Sequence, residues 1–224
     1  NYVRLQKNVS WLLAVREPIQ SCESWVSEQF DKNDVVRIYY RIVEMLFAID
    51  DPILAQANSV GVRLEDIKRH PDETLQKLCD WLGVEKEDSL YEMTVQGLKW
   101  WGDPTSPNFE QEGMQPFGVN AINRKVGRVF NASDQLILET LFYPFSVRFE
   151  YKEVNDEKFR QDLSSIKDSL TTPFGFEETI AENLKVDVNL FLKSGPGLYF
   201  RQRLQQKWET LDEHGTYLNL IKPL

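Results

Sequence analysis

The chain has 224 residues, which suits one domain of ordinary size with an appendage. Its 35 acidic and 26 basic residues give a net charge of −9, so we expect no general binding to nucleic acid, although a local basic pocket can still hold an anion. Two cysteines and two histidines exclude a disulfide framework and a histidine-rich metal site, and nothing else in the sequence requires a metal. Cys22 and Cys79 are expected to be small core residues of a cytoplasmic protein, and no apolar run is long enough to predict a membrane span.

Strands and helices alternate in the first part of the chain. The apolar run at residues 11–15 is typical of a buried, parallel-type strand, and Pro18 suits the first turn of the helix that follows. Asp34 is a candidate cap for the second helix, and Gly83 suits the end of the third. In chain order, the predicted elements are a strand at 11–15, a helix at 19–30, a helix from 34 to about 50, a strand at 59–64 and a helix at 71–82.

The second half of the sequence is predicted to be mainly helical. Residues 100–120 are rich in Gly, Pro, Asn and Ser and predict a long loop, and a helix follows from Ser133 to about Phe145. The sequence then changes to amphipathic helical stretches, which are broken at two turns that contain proline and glycine. We therefore expect an α/β protein with a parallel sheet and flanking helices at 1–151, and a mainly helical C-terminal appendage packed on it at 152–224.

One candidate anion site combines an arginine with a hydroxyl. Arg16 follows the first predicted strand, at the edge of an α/β sheet where ligands bind, and Ser24 lies eight residues further on, two turns into the next helix. An arginine fork and a hydroxyl group can clamp an anion. The alternative is that Arg16 pairs with a nearby carboxylate and that Ser24 is an ordinary residue of the helix surface.

A second candidate is a basic loop late in the first 151 residues. Arg124, Lys125 and Arg128 surround Gly127, which lets the backbone approach an anion closely. A solvated loop that precedes a helix would have the same composition, so both interpretations stay open at this point.

A third segment consists of the predicted strand at 59–64, a turn and the helix at 71–82, which has acids in its first turn. Taken alone, such a segment is typical of a purely structural part of a fold. Together and in this order, the three segments resemble the sulfotransferases that use 3′-phosphoadenosine 5′-phosphosulfate (PAPS). The matching stretches are Arg16-Glu17-Pro18 with Ser24 eight residues after the arginine, Leu64-Glu65-Asp66-Ile67, Pro71-Asp72-Glu73-Thr74, Trp81-Leu82-Gly83 and Arg124-Lys125-Val126-Gly127-Arg128. The resemblance covers residues 5–151, about two thirds of the chain.

The resemblance implies a doubly wound fold related to nucleotide kinases, that is, a P-loop-kinase-like parallel sheet. It also implies that Arg16 and Ser24 hold the 3′-phosphate of the donor, and that the late basic loop closes over the same phosphate. The residues carried over for that loop are Arg124, Lys125, Gly127 and Arg128. The implied reaction transfers a sulfuryl group from PAPS to a hydroxyl or amine of a small-molecule or glycan acceptor, without a metal.

The sequence also departs from the family pattern. The 5′-phosphosulfate loop of the family has no counterpart, so we expect that loop and the catalytic base to lie upstream of Asn1 and the domain to be partial. Leu64 stands where many members have an aromatic residue near the adenine, and the pair Trp100-Trp101 either lines an acceptor pocket or packs inside the protein. The alternative function is a non-catalytic, sulfotransferase-like binding or scaffold module, and a homo-oligomer is left open.

Overall fold

A computed structural model describes residues 9–56, 58–92, 94–95, 98–99, 117, 122 and 125–224. Within these residues the protein is a helix-rich α/β structure, in which β1 (Ser10–Val15) and β2 (Asn58–Arg63) form a small parallel sheet. Both predicted strands are confirmed to within one residue at either end. The prediction that the first strand is buried is wrong, because Leu12 is 45% exposed. A continuous apolar run favours a strand, but it does not show what covers the strand.

Helices make up most of the described chain. Their bounds are α1 Pro18–Asp31, α2 Val35–Ala48, α3 Pro52–Gln56, α4 Leu64–Arg69, α5 Pro71–Leu82, α6 Ala132–Leu141, α7 Tyr143–Arg148, α8 Asp156–Ile166, α9 Gly175–Leu184, α10 Asn189–Lys193 and α11 Gly195–His214. A short antiparallel pair, β3 (Thr94–Val95) and β4 (Leu98–Lys99), lies between α5 and α6. None of the described helices is long and apolar enough to cross a membrane.

The predicted position of Pro18 in the first turn of α1, the cap at Asp34 and the end of α5 at Gly83 are confirmed. The Glu17 carboxylate accepts bonds from the backbone N–H groups of Ile19 and Gln20, at 3.2 and 2.6 Å, and so caps α1. The Asp34 carboxylate accepts the N–H of the third residue of α2 at 3.1 Å, as predicted. Gly83 ends α5 with a φ of +70°, the left-handed conformation that glycine adopts without steric cost.

The helix predicted from Ser133 to about Phe145 is two helices, α6 and α7. Pro144 lies in the first turn of α7, where it has no N–H to donate to the carbonyl four residues earlier, and the chain therefore starts a new helix there. Helix α6 begins at Ala132, one residue before the predicted start, and Asn131 caps it, since Asn131 Oδ1 accepts the N–H of Asp134 at 2.9 Å. The five-residue α3 and six-residue α4 are too short for a periodic pattern and were missed.

The chain divides into two compact units. The first contains residues up to 11, 17–60 and 125–223, and the second contains 12–16, 61–124 and 224. In the first unit α1 packs on α2, α2 packs on α11 and α6 packs on α8. Residues 125–151 and 152–223 thus share one unit and are not separated at residue 151.

An aromatic cluster fills much of the core of the first unit. The rings of Tyr39 and Phe200 stack with their centroids 4.6 Å apart, and Phe174 and Phe176 pack around them. All four side chains are at most 1% exposed. Because three of these rings come from the C-terminal stretch, that stretch supplies core residues that pack on α2.

The second unit is built around α4 and α5. Thr74 Oγ donates a hydrogen bond to the carbonyl of His70 at 2.8 Å in the first turn of α5. At the same end of α5, the Tyr91 hydroxyl donates to the Asp72 carboxylate and accepts a bond from Lys86 Nζ at 3.3 Å. These contacts hold the chain that follows α5 against the start of the same helix.

Candidate anion-binding site on the first helix

The predicted basic loop lies directly against α1. Glu23, on the buried side of that helix, accepts hydrogen bonds from three backbone N–H groups of the loop. Gly127 N lies 3.1 and 3.0 Å from the two carboxylate oxygens, Arg128 N lies 3.0 Å from one of them, and Phe130 N lies 3.2 Å from the other. Gly127 has a φ of +113°, a conformation in which successive N–H groups can converge on one anion. The loop therefore forms an anion-binding concavity, and a carboxylate of this chain lies in it.

The Arg128 side chain extends along the same helix. Its guanidinium donates to Ser27 Oγ at 3.2 Å and pairs with the Asp31 carboxylate. Ser24 lies three residues before Ser27, which places both hydroxyl residues on one stripe of α1. The structure thus brings the basic loop and the helix face of Ser24 together, although they are about a hundred residues apart in the sequence.

The ionic groups on this face of α1 are held by their partners with unequal strength. Arg128 and Asp31 are 56% and 55% exposed, so their ion pair contributes at most about 1 kcal/mol. Glu23 is only 5% exposed, and its bonds to backbone N–H groups are charge-assisted and stronger. An incoming dianion can therefore take Arg128 away from Asp31 at little cost, whereas displacing Glu23 from the loop would cost more.

The predicted site residues divide between the two units and the undescribed part of the chain. Ser24, Lys125, Gly127 and Arg128 lie in the first unit, and Lys125 is exposed. Arg16 follows the last residue of β1 as predicted and is assigned to the second unit, so its membership of the site stays a prediction. Arg124, Trp100 and Trp101 lie outside the described residues.

The sequence analysis missed Glu23, although the sequence carries a signal for it. The helix buries Ile19, Cys22 and Val26, and Glu23 falls on the same stripe as these residues. A carboxylate on a buried stripe must have hydrogen-bond partners, because burying an unpartnered charge is very unfavourable. The presence of Glu23 there predicts that a group of N–H donors packs against α1, but local sequence cannot say that residues 127–130 supply them.

Among the described residues near this loop, there is neither a reactive thiol nor a metal site. Cys22 is fully buried, and burial above all, with the nearby Glu17 charge second, raises the pKa of its thiol, so the thiol stays protonated. Cys79 is 2% exposed, and the prediction that both cysteines are core residues is confirmed. Among the described residues, no group of three or more His, Cys, Asp or Glu side chains is arranged to hold a metal ion.

No protein-family model matches the sequence, and no curated protein and no solved structure matches the chain. The resemblance to PAPS-dependent sulfotransferases therefore rests on the sequence motifs alone.

Proposed function

We propose that this chain binds the 3′-phosphate end of PAPS between α1 and the loop at 125–128, and that it belongs to a sulfotransferase. One observation carries the proposal. The two segments that sequence motifs assign to the same phosphate, one containing Ser24 and one containing Gly127 and Arg128, lie against each other in the first unit.

The chemistry of these groups suits a phosphate monoester. Arginine donates two parallel N–H bonds to phosphate oxygens, and the Ser24 hydroxyl can add a third bond. Lys125 adds a second positive charge on the exposed side of the loop. The overall charge of −9 does not oppose this, because the potential inside a site depends on the nearest charges.

The proposed reaction is an in-line transfer of the sulfuryl group to a hydroxyl or amine of a small-molecule or glycan acceptor. As in phosphoryl transfer, the protein would act by positioning the donor and by neutralising charge on the phosphates. We also propose that β1 and β2 belong to a P-loop-kinase-like sheet, with Arg16 at its ligand-binding edge. The residue that deprotonates the acceptor is not assigned.

A second candidate is a binding or scaffold module without transfer activity. The observation that favours it is the charge balance around the loop, since Glu23 already binds the loop N–H groups and Asp31 already pairs with Arg128. In such a module these contacts would serve only to join the loop to α1. The two candidates differ in one measurable property, which is affinity for the donor nucleotide.

Calorimetry with the desulfated donor, 3′-phosphoadenosine 5′-phosphate (PAP), tests the proposal. We expect the 224-residue chain to bind PAP, and we expect Arg128→Ala and Arg16→Ala each to weaken binding about tenfold or more, because each loses charge-assisted bonds to phosphate. Arg160→Ala, at an exposed position of α8, is the matched control and should leave the affinity unchanged. Adenosine 5′-phosphate, which lacks the 3′-phosphate, should bind more weakly than PAP.

The outcomes separate the two candidates. Binding that is lost in both arginine variants and kept in Arg160→Ala supports the donor site. Binding lost only in Arg128→Ala removes Arg16 from the site but keeps the loop. If the unaltered chain does not bind PAP, or binds it no better than adenosine 5′-phosphate, the donor site is refuted and the scaffold module becomes the better proposal.

A further inference from the structure

The most unusual feature of the candidate site is the carboxylate at its centre. A negative charge beside a phosphate site should repel the ligand, yet Glu23 immediately precedes Ser24 and accepts bonds from three N–H groups of the loop. Its side chain is 5% exposed, so its negative charge is held inside the protein by these donors. This arrangement needs an explanation that a simple anion pocket does not provide.

The bonds to Glu23 fix the backbone from which the Arg128 side chain starts. Gly127 N and Arg128 N both bind Glu23, and the N–H of Phe130 binds it two residues later. Just beyond, the Phe130 carbonyl accepts a bond from Gln135 Nε2 at 2.7 Å, which attaches the loop to α6 as well. The direction of the Arg128 Cα–Cβ bond, and hence the reach of its guanidinium, follows from this fixed backbone.

We infer that Glu23 is a positioning residue for the donor site, which holds the loop at 127–130 so that Arg128 lies over the stripe of α1 that carries Ser24. This inference rests on the proposed function. Glu23 does not touch the donor, and its charge is balanced by the N–H groups that it binds. In this role the charge of the buried carboxylate weakens anion binding somewhat. Its ordering of Arg128 before the donor binds strengthens that binding by more.

The alternative role is that of a stand-in anion, which the 3′-phosphate displaces from the same N–H groups. The two roles predict opposite effects of neutralising the residue. A positioning residue makes binding weaker when it is lost, whereas a competing anion makes binding stronger when it is lost. The buried position of Glu23 favours positioning, because displacement would leave a charge without partners inside the protein.

The test compares two variants that make the same change of charge on the same helix. Glu23→Gln keeps the shape but presents an N–H₂ group toward loop donors, and we expect it to weaken PAP binding about tenfold. Glu28→Gln is the matched control, because Glu28 is 69% exposed and pairs with Lys32 at the surface. It should change PAP affinity by less than about twofold, since an exposed charge is well screened.

A loss of fold stability must be separated from a loss of positioning. Val26→Ala removes apolar atoms from the fully buried face of α1 and should destabilise the protein while leaving PAP affinity unchanged at temperatures where it is folded. Hydrogen exchange of the amides of Gly127, Arg128 and Phe130, measured without PAP, should become faster in Glu23→Gln than in Val26→Ala.

A double-mutant cycle tests whether Glu23 acts through Arg128. If it does, Arg128→Ala will reduce PAP affinity less in the Glu23→Gln background than in the unaltered chain. Strictly additive effects would overturn the inference, as would tighter PAP binding by Glu23→Gln or unchanged binding. If the unaltered chain does not bind PAP, the proposed function fails and the positioning role fails with it. Normal PAP binding by Glu23→Gln refutes the positioning role alone.

Discussion

Replacing Arg201 should remove a large part of the stability of the protein. Its guanidinium pairs with the Glu177 carboxylate and donates to the carbonyl of Thr172 at 3.1 Å. Glu177 is fully buried and also accepts bonds from the Tyr39 hydroxyl and from the N–H of Phe174, the latter at 2.7 Å. Arg201→Leu would therefore leave a buried carboxylate with two hydrogen bonds but without a cation.

The magnitude follows from what remains after the substitution. Breaking a buried ion pair by removing one partner costs about 3–5 kcal/mol, and leucine recovers only part of the apolar packing of the arginine stem. Stability would be measured by urea denaturation at neutral pH, where we expect the free energy of unfolding of Arg201→Leu to fall by about this amount. Added salt should not change the difference much, because a buried pair is weakly screened.

Arg203→Leu is the matched control on the same helix. Arg203 lies two residues further along α11, with its guanidinium 3.5 Å from the centre of the Phe47 ring and a hydrogen bond to Gln206, but it pairs with no carboxylate among the described residues. Losing a cation–π contact of this kind costs about 1 kcal/mol. A loss in Arg201→Leu no greater than in Arg203→Leu would refute the reasoning. The double variant Arg201→Leu with Glu177→Met should be more stable than Arg201→Leu alone.

Three further predictions follow from the first unit. Burial raises the pKa of Asp134 from 3.8 to about 6, so between these pH values the folded protein binds a proton that the unfolded chain does not. The free energy of unfolding of the unaltered protein, compared with that of Asp134→Asn, should therefore be largest below pH 4 and fall by up to about 3 kcal/mol as the pH rises to about 6. Thermal melts across this pH range measure the difference. Gly127→Ala introduces a side chain where φ is +113°, so the loop should change conformation, and the loss in PAP binding free energy should exceed the loss in free energy of unfolding. PAP affinity equal to that of the unaltered chain would contradict the assigned loop conformation. Residues 1–151 without the rest should show no cooperative melt by circular dichroism, and a sharp transition in that chain would contradict the shared core of the first unit.

Local patterns were enough to predict the helices with strong periodicity or clear caps. In α2, the apolar residues Val35, Ile38, Ile42 and Leu46 recur at helical spacing, and they are buried. The cap at Asp34 and the left-handed Gly83 were also predicted, because each depends on neighbours only a few residues away. The break before α7 was not predicted, although Pro144 has no N–H to continue a helix that runs from 133 to 145.

The candidate site was predictable in its parts but not in its arrangement. Ser24, Gly127 and Arg128 stand out by residue type and spacing, and the loop indeed lies on α1. The partners Glu23 and Asp31 were missed, since a carboxylate on a helix is usually solvated and the sequence does not show which loop will pack on it. Contacts between residues a hundred positions apart depend on the tertiary fold, which no local pattern contains.

The C-terminal stretch supplies hydrogen-bond partners to carboxylates in the first 151 residues. Asp50, at the end of α2, accepts bonds from Lys207 Nζ and from the N–H of Asn219, both at 2.8 Å. Asp134, in α6, accepts the N–H groups of Gly175 and Phe176 at 2.8 and 3.2 Å. Two carboxylates of the first 151 residues thus take hydrogen-bond partners from beyond residue 151.

The C-terminal stretch also supports the candidate site, through the packing of helices. Helix α11 packs on α2, and α2 packs on α1, which carries Glu23 and Ser24. The position of α1 therefore depends, through α2, on residues of the C-terminal stretch. If the chain is a sulfotransferase as proposed, its helical C-terminal stretch acts as a support for the donor site, and substitutions in α11 should lower PAP affinity only to the extent that they unfold the first unit.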